Sequence, residues 1–222
     1  MSAKDLFTII YYTSNREDEA FENKIKAKLL EVCGDVPIIS VSQKPIDLGK
    51  NICVGEVGAC DANLFRQIQT GCEAATTPFV ISAEADCLYP PEYFQFVPED
   101  IDEYYRFDNL YVLSQWGDGD YGGFYRKDSA PFAQIIGRDL YIRMIKKALE
   151  GKPQWNNPKE HFRIPLFLDQ PWKVVNNKNP VLNLKTFNGM RKHTTTFGSA
   201  VPSIPYWGSK EEVRRMIWGI ES

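Results

Sequence analysis

The sequence has no long apolar run, no closely paired cysteines and only two histidines. Its uninterrupted apolar stretches are far shorter than the roughly 20 residues that cross a bilayer. The opening residues, Met-Ser-Ala-Lys-Asp, also lack the apolar segment of a signal peptide. We therefore expect a cytoplasmic protein without a membrane span. The five scattered cysteines contain no C-x-x-C pair, which argues against a disulfide framework and against a zinc site.

The charge of the chain is unevenly distributed. Residues 1–120 contain 9 Lys and Arg against 21 Asp and Glu, whereas residues 121–222 contain 17 against 8. The basic second half suggests an anionic partner. The alternative, that the two halves of one domain simply neutralise each other, stays open. The length fits one large domain, residues 1–222, with ample material for a core.

An acidic pair directly follows a buried strand. The run Phe79-Val-Ile predicts a strand buried on both faces, and Pro90 and Pro91 end it. Glu84 and Asp86 are two residues apart, so an extended chain points both carboxylates the same way. Open α/β sheets bind ligands at the carboxyl ends of their strands, and paired carboxylates suit a divalent cation. An acidic surface turn is the alternative.

The first 41 residues predict a strand, a helix and a second strand. Leu6–Tyr12 is β-branched and aromatic, a helical pattern follows up to Gly34, and Val36–Val41 is again apolar. This order predicts a right-handed parallel crossover. The loop after the first strand contains Thr13, Ser14, Asn15 and Arg16. Helix capping accounts for one of these polar side chains, and we expect the loop to contact a nucleotide.

The next helix contains two polar residues that lie off its apolar stripe. Phe65, Ile68 and Cys72 form the stripe, and Arg66 and Gln67 fall outside it. These two side chains either face solvent or reach over the edge of the sheet towards a bound ligand.

The order of these segments resembles the nucleotide-sugar half of a GT-A glycosyltransferase of the family 2-like group. The resemblance lies in the Thr-Ser-Asn loop, the Asp-Ala-Asn-Leu-Phe-Arg-Gln-Ile helix, and Val-Ile-Ser-Ala-Glu-Ala-Asp with Tyr-Pro-Pro after it. It covers residues 5–125 well and the remainder loosely. It implies an α/β fold with a GT-A-like, Rossmann-type mixed sheet flanked by helices. Residues 1–125 would then bind the nucleotide sugar, and residues 126–222 would bind the acceptor and close the site.

The resemblance also implies a metal. In that family the acidic pair is the D-x-D motif, and its last Asp binds Mn²⁺ or Mg²⁺ bridging the diphosphate of the sugar nucleotide. Asp86 occupies that position, and Ala85 lies between the two acids. Glu84 replaces the first Asp, which is a departure from the motif and makes it a donor-site residue rather than a metal ligand. A C-terminal histidine often completes the metal site in these proteins, which points to His193.

A glycine-rich segment follows the predicted strand Leu110–Ser114. In GT-A enzymes a Gly-Gly segment here lines the donor sugar and acceptor sites, which points to Gly122 and Gly123. Asp118 and Asp120 are then candidates for acceptor contact or for the general base. An exposed Asp-Gly hairpin turn is the alternative.

Further along, residues 128–149 are predicted to form a helix that breaks at Gly137 and resumes at Asp139. Asp139 follows a glycine at a helix start, as the catalytic Asp of inverting family 2 enzymes does. It is therefore a third candidate base, with an ordinary helix cap as the alternative. Near the C-terminus, Arg191 and Lys192 are placed to grip and stabilise a leaving diphosphate.

Taken together, these features predict a metal-dependent glycosyltransferase that moves a hexose or pentose from a nucleoside-diphosphate sugar, expected to be a UDP-sugar, to a hydroxyl. Small soluble enzymes of this kind in bacteriophages glycosylate hydroxymethylated pyrimidines in DNA, which makes DNA the expected acceptor and the host cytoplasm the expected location. A surface glycan, lipid or protein acceptor is an alternative. So are a sugar-phosphate nucleotidyltransferase and a non-catalytic nucleotide-sugar-binding module. No obligate protein partner is evident.

Overall fold

The computed structural model describes residues 2–116, 122–128, 130–157, 159, 171–191 and 196–220. The helices of these residues are Ala3–Leu6 (α1), Glu19–Val32 (α2), Asp61–Ala74 (α3), Arg138–Ala148 (α4) and Lys210–Trp218 (α5), with a 3₁₀ turn at Pro91–Phe94. In the part of the chain described, none of the helices has both the length and the apolar character needed to cross a bilayer.

The strands of the described residues belong to two larger sheets and one short hairpin. In chain order they are Phe7–Thr13 (β1), Ile38–Ser42 (β2), Lys50–Cys53 (β3), Phe79–Glu84 (β4), Cys87–Leu88 (β5), Tyr104–Phe107 (β6), Leu110–Ser114 (β7), Phe124–Lys127 (β8), Gln134–Gly137 (β9), Lys173–Val175 (β10), Val181–Lys185 (β11), Thr196–Val201 (β12), Ser203–Ile204 (β13) and Gly208–Ser209 (β14).

The first sheet is mixed and has the order β10-β6-β9-β4-β1-β2-β3. Its ladders are parallel except where β9 runs antiparallel between β4 and β6. The parallel strands therefore end at one edge, which we call the carboxyl edge; it includes Thr13, Ser42 and Glu84. Sheets of this kind are covered by helices on both faces, which is why β1 is buried along its whole length.

Helices α3 and α4 cover one face of the first sheet. Ile10 from the sheet, Phe65 and Ile68 from α3, and Tyr141 from α4 belong to one buried cluster. A glycine is needed where α3 crosses β1, because a Cβ at Gly71 would lie 2.6 Å from Cγ2 of Ile10. The apolar stripe predicted for this helix is the face that packs on the sheet.

The second sheet has the order β12-β8-β7-β11-β5. Strand β11 runs parallel to β7 and antiparallel to β5. Its apolar side chains pack against α2 and α5, with Leu182 and Leu184 from the sheet, Phe21 from α2, and Val213 and Ile217 from α5 in one cluster. Because β5 follows β4 after a two-residue turn, the second sheet begins beside the carboxyl edge of the first.

The predicted strand–helix–strand opening, helix α3, strand β4 and the GT-A-like mixed sheet are confirmed. The helix predicted over residues 128–137 is wrong, because Gln134–Gly137 forms strand β9. The segment 44–60 contains strand β3, and the charged connector 98–109 contains strand β6, neither of which the sequence pattern indicated.

Candidate active site

The acidic pair lies where β4 ends and turns into β5. Glu84 is the last residue of β4, and its Oε1 accepts a hydrogen bond from the Tyr12 hydroxyl (3.0 Å). Its backbone N–H donates to the Tyr89 hydroxyl (2.9 Å). Ligand atoms of Glu84, Asp86 and Cys87 lie within 4.8 Å of one another. Two strands therefore bring two carboxylates and a thiol to one point at the carboxyl edge.

The electrostatics of this cluster favour oxygen ligation. Burial, followed by the nearby Asp86 charge, raises the pKa of Glu84 to about 8, against the opposing effects of Lys185 and Tyr12. Burial and the Asp86 charge also raise the pKa of the Cys87 thiol well above its usual value. The thiol therefore stays protonated and is a poor ligand, so the atoms that suit a hard cation are the carboxyl oxygens, with the Glu84 proton displaced when a cation binds. Hard oxygen donors of this kind fit Mn²⁺ or Mg²⁺, which take further ligands from water and phosphate oxygens.

Strand β11 brings a lysine to the acidic pair. Asn183 pairs with Cys87 across the β11–β5 ladder, and the Leu184 N–H donates to the Asp86 carbonyl (2.7 Å). The next residue, Lys185, therefore sits beside Asp86, with 3.9 Å between its Nζ and Oδ2. The Lys185 charge, after burial, also lowers the pKa of Lys127. The sequence pattern assigned no role to Lys185, which is the last residue of β11.

A third carboxylate, which the sequence reasoning also missed, approaches from the loop after β1. The carboxylate of Glu17 accepts a hydrogen bond from the Thr186 hydroxyl (2.6 Å to Oε2), and that hydroxyl oxygen accepts one from the Gly189 N–H (2.9 Å). Burial and the nearby Asp86 charge raise the pKa of Glu17. This contact ties the β1–α2 loop to the segment after β11. Its position beside Arg16, in a loop already predicted at the edge, was the available signal.

The predicted nucleotide loop lies at the carboxyl edge. The Thr13 hydroxyl oxygen accepts a hydrogen bond from the Asn15 N–H (2.9 Å). Asn15 adopts the left-handed region (φ 52°), and its Oδ1 accepts from the N–H groups of residues 43 and 44 (both 2.8 Å). Ser14 is half-buried and Arg16 is exposed. The loop is thus fixed to the end of β2, with polar side chains along the edge.

The side chains of Gln67 and Arg66 point to different parts of the structure. The Gln67 side chain is buried, and its Nε2 donates to the carbonyls of Thr13 (2.8 Å) and Val41 (3.0 Å). It therefore reaches over the sheet edge and joins the ends of β1 and β2. Arg66 turns instead towards the end of α4, where its Nη2 donates to the Leu149 carbonyl (3.1 Å). The structure does not bring Arg66 to the acidic pair.

We expect Gln67→Leu to lower the free energy of unfolding by about 1–3 kcal/mol, because two carbonyls at the buried strand ends lose their donor. Urea denaturation measures the change. Gln69→Leu is the control on the same helix, since Gln69 donates to the exposed Glu73 (3.0 Å) and accepts from the half-buried Arg66 (3.0 Å), and its replacement should cost less than about 1 kcal/mol. Equal destabilisation by both substitutions would contradict this role for Gln67.

The two glycines and the alanine predicted for the donor site lie at the same edge. Gly122 and Gly123 directly precede β8, which runs antiparallel to β7, so they lie beside the end of β7. A Cβ at Gly123 would lie 2.7 Å from the Val201 carbonyl oxygen, so only glycine permits this close main-chain approach. Ala85 is buried between the two acids.

Two further contacts lie at the start of α3 and after the ends of β7 and β11. The guanidinium of Arg191 forms an ion pair with Asp61, the first residue of α3, and its side chain is largely exposed. Trp116 and Phe187 follow the ends of β7 and β11, and their ring centroids are 5.2 Å apart. Because the Gln115 N–H donates to the Lys185 carbonyl (2.7 Å), this aromatic pair stands next to Lys185.

Asp139 is not brought to this edge. Gly137 pairs with Phe79, the first residue of β4, and α4 begins immediately after it. Asp139 therefore lies at the opposite edge, about 17 Å along β4 from Glu84. Its carboxylate pairs with Arg138 (2.8 Å) and is exposed. Of the other predicted site residues, Asp118, Asp120, Lys192 and His193 lie outside the described residues.

No family model and no curated protein matches the sequence. Several solved structures resemble it. S. aureus TarS 1–349 in complex with UDP-GlcNAc aligns with a TM-score of 0.50 and 12% identity, over 81% of this chain and 58% of that one. A glycosyltransferase involved in the glycosylation of the major capsid of PBCV-1 aligns at 0.45 and 12%, over 78% and 81%. The inositol-1-phosphate CTP transferase from T. maritima aligns at 0.49 and 8%, over 86% and 93%.

The likeness to TarS is a likeness of fold, and this chain matches little more than half of that protein's length. The described residues of this chain combine a mixed sheet with one antiparallel strand, a second sheet and the acidic pair between them. The protein has a GT-A-like α/β fold, with a mixed sheet flanked by helices.

Proposed function

We propose that the protein is a metal-dependent glycosyltransferase that moves a sugar from a nucleoside-diphosphate sugar to an acceptor hydroxyl. The donor that we propose is a UDP-sugar. The observation that carries the proposal is the meeting of the Glu84 and Asp86 carboxylates at the carboxyl edge of the parallel strands. This is where α/β sheets bind ligands. A protein of the same fold has been solved with UDP-GlcNAc bound, which supports the choice of donor.

In this proposal different residues of the carboxyl edge bind different parts of the donor. Asp86, with Glu84 close by and His193 as the further proposed ligand, would hold Mn²⁺ or Mg²⁺, which supplies Lewis-acid neutralisation of the diphosphate. Residues 13–16 would hold the nucleotide, with Gln67 fixing their position. Gly122 and Gly123 would allow the sugar to approach the main chain closely. Arg191 and Lys192 would hold the leaving diphosphate.

The acceptor hydroxyl must lose a proton as it attacks. A carboxylate base takes that proton, the hydroxyl oxygen bonds to the anomeric carbon, and the bond from that carbon to the diphosphate oxygen breaks. Asp118 and Asp120 are the bases we propose, for an enzyme that inverts configuration. Asp139 is left out, because it lies at the opposite edge of the sheet.

A panel of nucleotide sugars with Mn²⁺ tests the function, with release of nucleoside diphosphate as the readout. We expect release from at least one UDP-sugar and its loss when EDTA removes the metal. Pyrophosphate formed instead from a nucleoside triphosphate and a sugar phosphate would identify a nucleotidyltransferase. Binding of a UDP-sugar with no release, in the presence of every acceptor class, would identify a binding module.

For the acceptor we propose DNA that contains hydroxymethylated pyrimidines, as in bacteriophage DNA modification. Residues 121–222 carry 17 Lys and Arg against 8 Asp and Glu, which favours a polyanion. The exposed Phe187 ring beside Trp116 offers a surface on which a base can stack next to the site. A base in duplex DNA would have to flip out of the helix to reach it.

We expect labelled single-stranded DNA to bind this protein at low salt and to dissociate as the salt concentration rises. Phe187→Ala should weaken binding about tenfold, because base stacking on an aromatic ring contributes about 1–3 kcal/mol. Leu30→Ala, at a similarly exposed apolar side chain near the end of α2, is the control. An electrophoretic mobility shift across a salt series measures both. Absence of binding at low salt would reject DNA and leave a glycan, lipid or protein acceptor.

A further inference from the structure

The ion pair between Lys185 and Asp86 differs from the others in its burial. The two side chains are 13% and 20% exposed. In each of the other ion pairs of the described residues, at least one side chain is 39% exposed or more. Taking two charges out of water is costly, and a buried pair is weak evidence for a stabilising role. The placement of Lys185 therefore calls for a functional explanation.

The geometry leaves the lysine able to move. Its Nζ lies 3.9 Å from Asp86 Oδ2, which is beyond hydrogen-bonding distance, so the contact is electrostatic. An ammonium group on a flexible four-carbon stem can change partners by rotating its side chain. The backbone of β11 is fixed, because the neighbouring Leu184 N–H donates to the Asp86 carbonyl. The ammonium can shift while the strand stays in place.

We propose that Lys185 is a catalytic residue that pairs with Asp86 in the ligand-free protein and with the donor's diphosphate in the loaded one. This inference rests on the proposed function. The Lys185 ammonium would be repelled by a divalent cation held at Asp86, and the diphosphate bound with that cation would offer it a new anionic partner. As the bond to the anomeric carbon breaks, negative charge grows on the diphosphate oxygen, and Lys185 stabilises it by donating a charge-assisted hydrogen bond. No proton is transferred in this step.

The proposal predicts effects of opposite sign for Lys185→Met, which keeps most of the side-chain stem and removes its charge. Affinity for Mn²⁺ alone should rise about tenfold, because Asp86 no longer has a competing cation. Affinity for UDP in the presence of EDTA should fall about tenfold, because the diphosphate loses a cationic partner. Electron paramagnetic resonance of free Mn²⁺ measures the first change, and titration calorimetry measures the second.

Two further variants serve as controls. Lys185→Arg keeps the charge and should stay within about threefold of the wild type in both measurements. Lys146→Met removes an exposed lysine of α4 that pairs with Glu73 of α3. This substitution should change neither affinity. Circular dichroism melting confirms that each variant is folded.

The outcomes separate this inference from the proposed function. Wild-type binding of UDP and Mn²⁺, with Lys185→Met unchanged in both, would overturn the role of Lys185 and leave the function standing. Failure of the wild type to bind either ligand would overturn both. A fall in both affinities for Lys185→Met would also reject the inference, since a lysine that merely maintains the shape of the site predicts losses of the same sign.

Discussion

Replacing Asp86 with Asn should reduce metal-dependent release of nucleoside diphosphate about a thousandfold. The amide keeps the shape of the side chain but removes the negative charge from the point where two strands bring the acids together. It also leaves Lys185 without its anionic partner. Cys87 stays a neutral thiol and does not replace that charge. Initial rates with a UDP-sugar and saturating Mn²⁺ measure the loss.

The control for this experiment is Asp102→Asn. Asp102 is 73% exposed and pairs with Arg143 on the surface (3.2 Å), so its replacement should leave the rate within about twofold, as expected for an exposed ion pair. Binding of Mn²⁺, followed by electron paramagnetic resonance, should be lost in Asp86→Asn and kept in Asp102→Asn. Equal turnover by Asp86→Asn and the wild type would end the assignment of Asp86 as the metal ligand.

The local part of the site could be predicted because its signals are contiguous in the chain. Phe79, Val80 and Ile81 gave the strand, and the i, i+2 spacing of Glu84 and Asp86 placed both acids at its end. The same reasoning predicted β1 and the polar loop that follows it. Alternation and apolar runs identify an element and its ends, and the rule for ligands at carboxyl ends then applies.

The partners of the acids could not be predicted in the same way, because they depend on strand register. Lys185 is 99 residues from Asp86 in the chain and reaches it only because β11 pairs with β5 through Asn183 and Cys87. A shift of one residue in that ladder would turn Lys185 to the other face. The hydrophobic pattern predicts which segments form strands, but it does not predict which strands pair with each other.

A charged segment can contain a buried charge, which its composition alone does not reveal. Residues 98–109 have the composition of a charged connector, but Arg106 lies fully buried in β6, with its guanidinium 4.7 Å from the Trp172 ring and 5.2 Å from the Tyr104 ring. Its Nε donates to Gln134 on the antiparallel neighbour β9 (3.3 Å). Aromatic faces and an amide make burial of this charge tolerable, and two of these partners, Gln134 and Trp172, are distant in sequence.

The sequence pattern also gave no weight to Tyr93, for which we predict the largest effect on stability. Its ring is fully buried, and ring centroids of Phe107 (4.6 Å), Tyr89 (4.7 Å) and Phe94 (5.0 Å) surround it. Tyr93→Ala should lower the free energy of unfolding by about 3–5 kcal/mol. For a chain of this length that is about 6–20 °C in melting temperature, measured by thermal and urea denaturation.

Tyr93→Phe separates the hydroxyl from the ring. The hydroxyl donates to the Ser82 carbonyl (2.8 Å) and accepts from the Gln134 N–H (3.0 Å), so it joins β4 to β9 just before the acidic pair. Its removal should cost about 1–3 kcal/mol, because a buried N–H is left without a partner. Tyr206→Ala, at a 51% exposed tyrosine, should cost less than about 0.5 kcal/mol. If Tyr93→Ala cost no more than Tyr206→Ala, the result would contradict the tight packing of Tyr93. Because Ser82 lies two residues before Glu84, the same result would also contradict a role for Tyr93 in positioning the Glu84 and Asp86 carboxylates.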